Sequence, residues 1–174
     1  MRRLTPHPQT PAPGLRVVAQ AERLAGGVLS LSFAAEGEGL RLPPPAEPDR
    51  ADDLWRTTCF EAFVAAEGGA GYLEVNLSPS GRWAFYAFDS YREGGRSPPV
   101  ATPRIEVTRS EDRCELAAQV DLGGLAPAGP WRLALTTVIE RLDGAKSYWS
   151  AAHPEGKPDF HHPAGFVLTL AEPQ

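Results

Sequence analysis

Between Cys59 and Arg92 the apolar and polar residues alternate so regularly that three strands pair in one shared register. The runs Cys59–Ala65 and Tyr72–Ser78 flank the turn-rich segment 66–71 and read as a hairpin. With Glu61 opposite Asn76, the residues Phe60, Ala62 and Val64 fall opposite Leu77, Val75 and Leu73. Opposed residues share a face, so this face is wholly apolar. The other face collects Cys59, Glu61, Phe63, Tyr72, Glu74 and Asn76. Pro79-Ser80-Gly81 then suits a three-residue hairpin loop with glycine at the left-handed position. Pairing Ser78 with Arg82 sets Trp83 against Leu77, Phe85 against Val75, and Tyr86 against Glu74 beside Phe63. A slip of one residue would bury both carboxylates in the core, which disfavours any other register.

The rest of the chain follows the same grammar. Leu15–Gln20 and Val28–Phe33 read as strands joined through Gly26-Gly27. Arg104–Arg109 with Arg113–Leu122 makes a second hairpin, and Trp131–Glu140 with Lys146–Ala152 a third, closed by Asp143-Gly144. In that third hairpin Trp149 is placed opposite Val138, which favours a core position for it. Gly165–Leu170 reads as a closing strand. The proline-rich stretch 40–53 is a long loop or crossover. Residues 1–14 read as an extended N-terminal arm rather than a packed element, and 15–174 as a single domain. About nine short strands with almost no helical periodicity imply an all-β protein. The expected fold is an antiparallel β-sandwich of jelly-roll or immunoglobulin-like type.

Charge and composition narrow the function. A net charge of −5 without any Lys/Arg cluster argues against nucleic acid and against acidic membranes as partners. No apolar stretch of signal-peptide or membrane-spanning length is present, so the expected compartment is the cytoplasm. The two cysteines, Cys59 and Cys114, sit in no metal-type spacing and read as small buried hydrophobes. No nucleophile-elbow, phosphate-loop or dinucleotide motif occurs.

The polar face from Cys59 to Tyr86 is therefore the candidate site. Glu61, Glu74 and Asn76 offer carboxylate and amide groups, and Phe63 and Tyr86 offer rings. Sugars need that combination, rings for their C–H faces and polar groups for their hydroxyls. Arg56, Arg92 or Asp89 would extend the patch from strand ends. The bland alternative is a solvated outer face or a satisfied polar network. Glu61 and Glu74 as diagonal neighbours also raise a glycosidase reading, since retaining enzymes hold two carboxyls about 5–5.5 Å apart. In the C-terminal segment, His153, Asp159, His161 and His162 invite a metal reading, but their spacing matches no helical or hairpin ligand frame. That loop reads more simply as held by backbone hydrogen bonds.

The stretches Leu54-Trp55-Arg56-Thr57-Thr58-Cys59-Phe60-Glu61-Ala62-Phe63 and Tyr72-Leu73-Glu74-Val75-Asn76-Leu77-Ser78-Pro79 resemble the DOMON-like family of bacterial proteins. Ser147-Tyr148-Trp149 and Lys157-Pro158-Asp159-Phe160-His161 fit the same group. That family is related to the family-nine carbohydrate-binding modules. The resemblance implies a sandwich with a ligand site on one sheet, in relatives that bind sugars or haem. It implies ligand contacts at Trp55, Arg56, Glu61, Glu74 and Asn76, with Tyr86, Arg92, Trp149 and His161 as further candidates. Haem-binding relatives use methionine with histidine or lysine, whereas the one methionine here is Met1. A haem here would need ligation by His153 and His161. The leading expectation is a non-catalytic binder of a sugar or sugar derivative that needs no cofactor. A haem or metal binder and a protein-interaction module are the alternatives, with a glycoside hydrolase behind them.

Overall fold

The register expected for residues 59–88 is the one observed in the computed structural model, which describes residues 1–173. Strands β4 (Cys59–Ala66) and β5 (Tyr72–Leu77) pair Glu61 with Asn76 and Phe60 with Leu77, and β6 (Trp83–Phe88) sets Tyr86 against Glu74. Gly81, at φ 95°, lets the tight loop between β5 and β6 close, with the Ser78 N–H bonded to the Arg82 carbonyl at 2.9 Å.

The remaining strands are β1 (Arg2–Pro6), β2 (Arg16–Leu24), β3 (Val28–Glu36), β7 (Arg104–Arg109), β8 (Arg113–Asp121), β9 (Trp131–Glu140), β10 (Lys146–Ser150) and β11 (Leu168–Leu170). They form one antiparallel sheet in the order β6-β5-β4-β9-β10-β1-β2-β3-β8-β7, with β11 on the first half of β9. The sheet curls so that its two halves face each other. Phe33 of β3 stacks on Phe60 of β4 with ring centroids 5.1 Å apart. Around that pair, Leu29, Leu31, Leu116 and Val120 from one half meet Val75, Leu77, Leu133 and Leu135 from the other, all buried. Each such side chain contributes roughly 1.5–3 kcal/mol by leaving water. The only helices among the described residues are single 3-10 turns, and none is long and apolar enough to cross a membrane.

Three sequence expectations need correction. Residues 1–14 do not form an unpacked arm. Arg2–Leu4 pair with β2, Thr5 and Pro6 pair with β10, and the Leu4 side chain is fully buried. β1 is the seam that joins the two halves, and its only proline ends the strand, where no ladder donor is needed. With it the strands number eleven among the described residues, against the nine or so expected.

The third hairpin is shifted by one residue. Tyr148, not Trp149, lies opposite Val138, and Trp149 lies opposite Thr137. The cause is the turn. Arg141 N–H bonds Ala145 O at 2.9 Å across a three-residue loop in which Gly144 takes φ 84°, whereas a two-residue Asp-Gly turn gives the other register. Trp149 is buried in the core as expected, with its Nε1 donating to Ser147 Oγ at 2.8 Å.

Finally, Phe63 is not an exposed ring on the polar face. A second apolar cluster of Phe63, Ala65, Tyr72, Ala134 and Phe166 encloses it completely. The C-terminal segment, which turns through Pro163–Gly165 on its way to β11, supplies Phe166 and covers this end of the face.

Candidate functional site

The outer face of β6-β5-β4-β9-β10 presents, strand by strand, Tyr86 and Phe88, then Tyr72, Glu74 and Asn76, then Cys59, Glu61 and Phe63, then Thr136 and Val138, and finally Tyr148. Phe63 and Tyr72 are covered at one end. At the other end the face opens into a cleft of about 760 Å³. Glu61 and Glu74 lie at its floor, and Trp55, Tyr86, Phe88, Tyr148 and Phe160 give it aromatic walls. Gln9, Thr10, Arg92, Lys157 and His161 add polar groups around it.

The floor is buried polar chemistry with few partners. Glu61 is 3% exposed. Its Oε2 accepts a long hydrogen bond from Thr136 Oγ1 at 3.4 Å, while Oε1 has no partner. Burial, and then the neighbouring Glu74, push the Glu61 carboxyl well above the usual carboxylate range. Asn76, fully buried, donates from Nδ2 to Glu74 Oε1 at 2.9 Å, and its own Oδ1 is unpartnered. The Glu74 carboxyl is also raised by burial, against the pull of Asn76 and Arg92. Beneath them the Cys59 thiol is held well above its ordinary range by burial and by both glutamates, which favours its protonated form.

One wall is a hydrogen-bonded relay. Tyr72 OH accepts from the Arg92 N–H at 3.2 Å and lies 2.8 Å from His161 Nδ1. With the tyrosine donating to Nδ1, the proton of the neutral imidazole sits on Nε2, which faces Glu74 Oε2 at 3.9 Å. Burial and the nearby Arg92 push the His161 pKa down to about 4, so the ring is neutral at pH 7. Arg92 adopts φ 57° and sends its guanidinium to Asp159 Oδ1 at 2.8 Å, and Tyr91 OH donates to Asp159 Oδ2. On the opposite side Tyr86 OH donates to Asp52 Oδ1 at 2.7 Å. Burial and then Asp52 raise the Tyr86 pKa.

Of the residues singled out from sequence, the structure brings Trp55, Glu61, Glu74, Tyr86, Arg92 and His161 to the cleft. Asn76 lies under them, bonded to Glu74. Arg56 stands away from the cleft lining, paired with Asp53 at 3.3 Å and lying over the Trp55 ring, where it helps hold that exposed indole. Phe63 and Trp149 are core residues. His153 does not line the cleft. Its Nε2 meets Thr5 O at 2.9 Å, and its ring packs edge-on against His7. Asp89 pairs with Arg96 on the surface.

Sequence reasoning missed Gln9, Thr10, Phe88, Tyr148, Lys157 and Phe160. Tyr148 was legible, because a three-residue turn at Leu142–Gly144 puts it on the site face. Gln9 and Thr10 reach the cleft only because β1 docks beside β10, where Thr10 Oγ1 accepts from the Tyr148 N–H at 3.3 Å.

No protein-family model matches the chain, and no curated protein is significantly similar to it. Solved structures do resemble it. A provisionally assigned carbohydrate-binding protein from Bacteroides uniformis superposes with a TM-score of 0.68 at 16% identity, over 98% of this chain and 84% of that one. The chain shares its fold. A family-nine carbohydrate-binding module from Caldicellulosiruptor kristjanssonii, solved with glucose, gives 0.55 at 7% identity over 90% and 76%. The same kind of module solved with cellotriose gives 0.55 at 7% over 90% and 74%. At these identities the likeness concerns the path of the chain.

Proposed function

We propose that this protein is a non-catalytic carbohydrate-binding domain of DOMON-like type, its curled sheet a β-sandwich of the jelly-roll kind. The observation that carries the reading is the cleft, whose floor holds buried glutamates and whose walls are aromatic. Rings cover the C–H faces of a sugar, and buried acceptors take its hydroxyl protons. The orphaned Glu61 Oε1 gains most from such a donor, because an unpartnered buried polar atom costs about 1–3 kcal/mol. The sugar-bound modules of like fold support the same reading.

A hydrolytic role fits less well. A retaining glycosidase needs one carboxylate ionised as nucleophile and one acid, whereas burial raises both Glu61 and Glu74 here and no cation among the described residues is bonded to Glu61.

Calorimetric titration with mono- and disaccharides tests the proposal, with hemin and its absorbance spectrum as the control for a haem site. Saccharide binding lost in Trp55→Ala, without product formation on long incubation, is the expected result. Silence across the panel, or turnover abolished by Glu61→Gln, would refute it.

A further inference from the structure

The floor of the cleft is short of hydrogen-bond donors. Glu61 Oε1 and Asn76 Oδ1 are both buried acceptors without a partner, and they belong to directly opposed residues of β4 and β5. Glu61 is more than nine-tenths buried and faces the cleft. Glu74 receives one amide hydrogen from Asn76, and His161 Nε2 at 3.9 Å is too distant for a hydrogen bond. The hydroxyl of Tyr86 points its proton away, to Asp52.

The cations nearby are engaged elsewhere. Arg92 is paired with Asp159, Arg50 with Asp52, and Arg56 with Asp53. His161 is neutral at pH 7, because its pKa is pushed down to about 4. Lys157 stands exposed on the cleft wall, where solvent screens its charge. A ligand therefore meets two carboxyls at the floor, between the rings of Trp55, Tyr86 and Phe160.

A neutral hydroxyl brings one proton to such a floor. A protonated primary amine brings three, together with a positive charge that favours the ionised form of two carboxyls which burial otherwise holds toward their protonated form. The faces of the aromatic walls also attract cations. We infer that the cleft selects a saccharide bearing a protonated amine, an amino sugar, with the ammonium seated at Glu61 Oε1 and Glu74. The inference rests on the saccharide reading above and names the class of sugar. N-acylation removes the charge and two of the three donors, so an N-acetylated sugar is discriminated against.

The test is calorimetric titration of the full chain with three methyl glycosides, the neutral sugar, the 2-amino-2-deoxy sugar and its N-acetyl form, each in gluco and galacto configuration. It is run below the pKa of the amine. The amino sugar is expected to bind about tenfold or more tighter than both others, as a charge-assisted hydrogen bond predicts. Glu61→Gln is expected to bring the affinity for the amino sugar down to that for the neutral one. Equal or tighter binding of the neutral glycoside overturns the amine inference and leaves the saccharide reading standing. No binding by any of the glycosides overturns both. A preference that survives intact in folded Glu61→Gln overturns the place given to Glu61.

Discussion

Glu61→Gln also has a stability consequence whose sign the structure dictates. Burial, reinforced by Glu74, raises the folded-state pKa of Glu61 well above the ordinary carboxylate range. In the unfolded chain the group titrates near about 4.3. Between those two values the folded protein keeps a proton that the unfolded chain has released. Stability is then complete below the unfolded pKa and falls as pH rises through the window, by about 1.4 kcal/mol per pH unit for one proton. Glutamine keeps the shape, keeps a partner for Thr136 Oγ1, and cannot titrate. It also brings an amide hydrogen within reach of the face that carries the orphaned Asn76 Oδ1.

The variant is therefore expected to match or exceed the wild type at neutral pH, with an advantage that grows with pH until Glu61 is fully ionised. Urea unfolding of both proteins, at intervals of half a unit from about pH 5 to pH 9, yields the difference curve. Contributions from His161 and from the surface cancel in that difference. Parallel curves across the whole range would refute the reasoning, because they would mean that Glu61 ionises as readily folded as unfolded. A variant that becomes less stable as pH rises would show that the carboxylate has a cationic partner.

Other residues give independent checks. His161→Gln removes a group whose folded pKa lies below its unfolded value, so wild-type stability should fall faster than the variant's as pH drops from about 6.5 toward 4. Identical acid limbs in thermal melts would contradict that. Leu4→Ala should cost about 2–5 kcal/mol in urea unfolding, because Leu4 is fully buried at the seam between the halves. A loss under about 0.5 kcal/mol would mean that β1 is dispensable. Trp55→Ala should stay within about 0.5 kcal/mol of wild-type stability, because the indole is 45% exposed, and should lose ligand affinity. The opposite pattern would make Trp55 structural.

The central hairpins could be read from the chain because strand alternation has a period of two. Phe60, Val75 and Phe85 must share a side, and Glu61, Glu74 and Tyr86 are then forced onto the other. Pairing between neighbours in sequence costs little loop entropy and is pinned by turn residues such as Gly81. That local logic located Glu61, Glu74 and Tyr86 of the cleft residues, although it assigned Tyr148 and Trp149 to the wrong partners, since Asp143-Gly144 suits loops of two lengths.

Whether the polar face would be solvated, capped or hollowed was beyond local pattern. It depends on contacts between residues far apart in the chain. Phe166 seals the end that holds Phe63. The run from Lys157 to His161 raises a wall. β1 pairs across some 145 residues with β10 and carries Gln9 and Thr10 to the rim. Alternation says which side chains share a face, but the packing of distant segments on that face sets its dielectric. The same glutamates would be ordinary carboxylates in water. Beneath these walls burial favours their protonated forms and leaves Glu61 Oε1 without a partner.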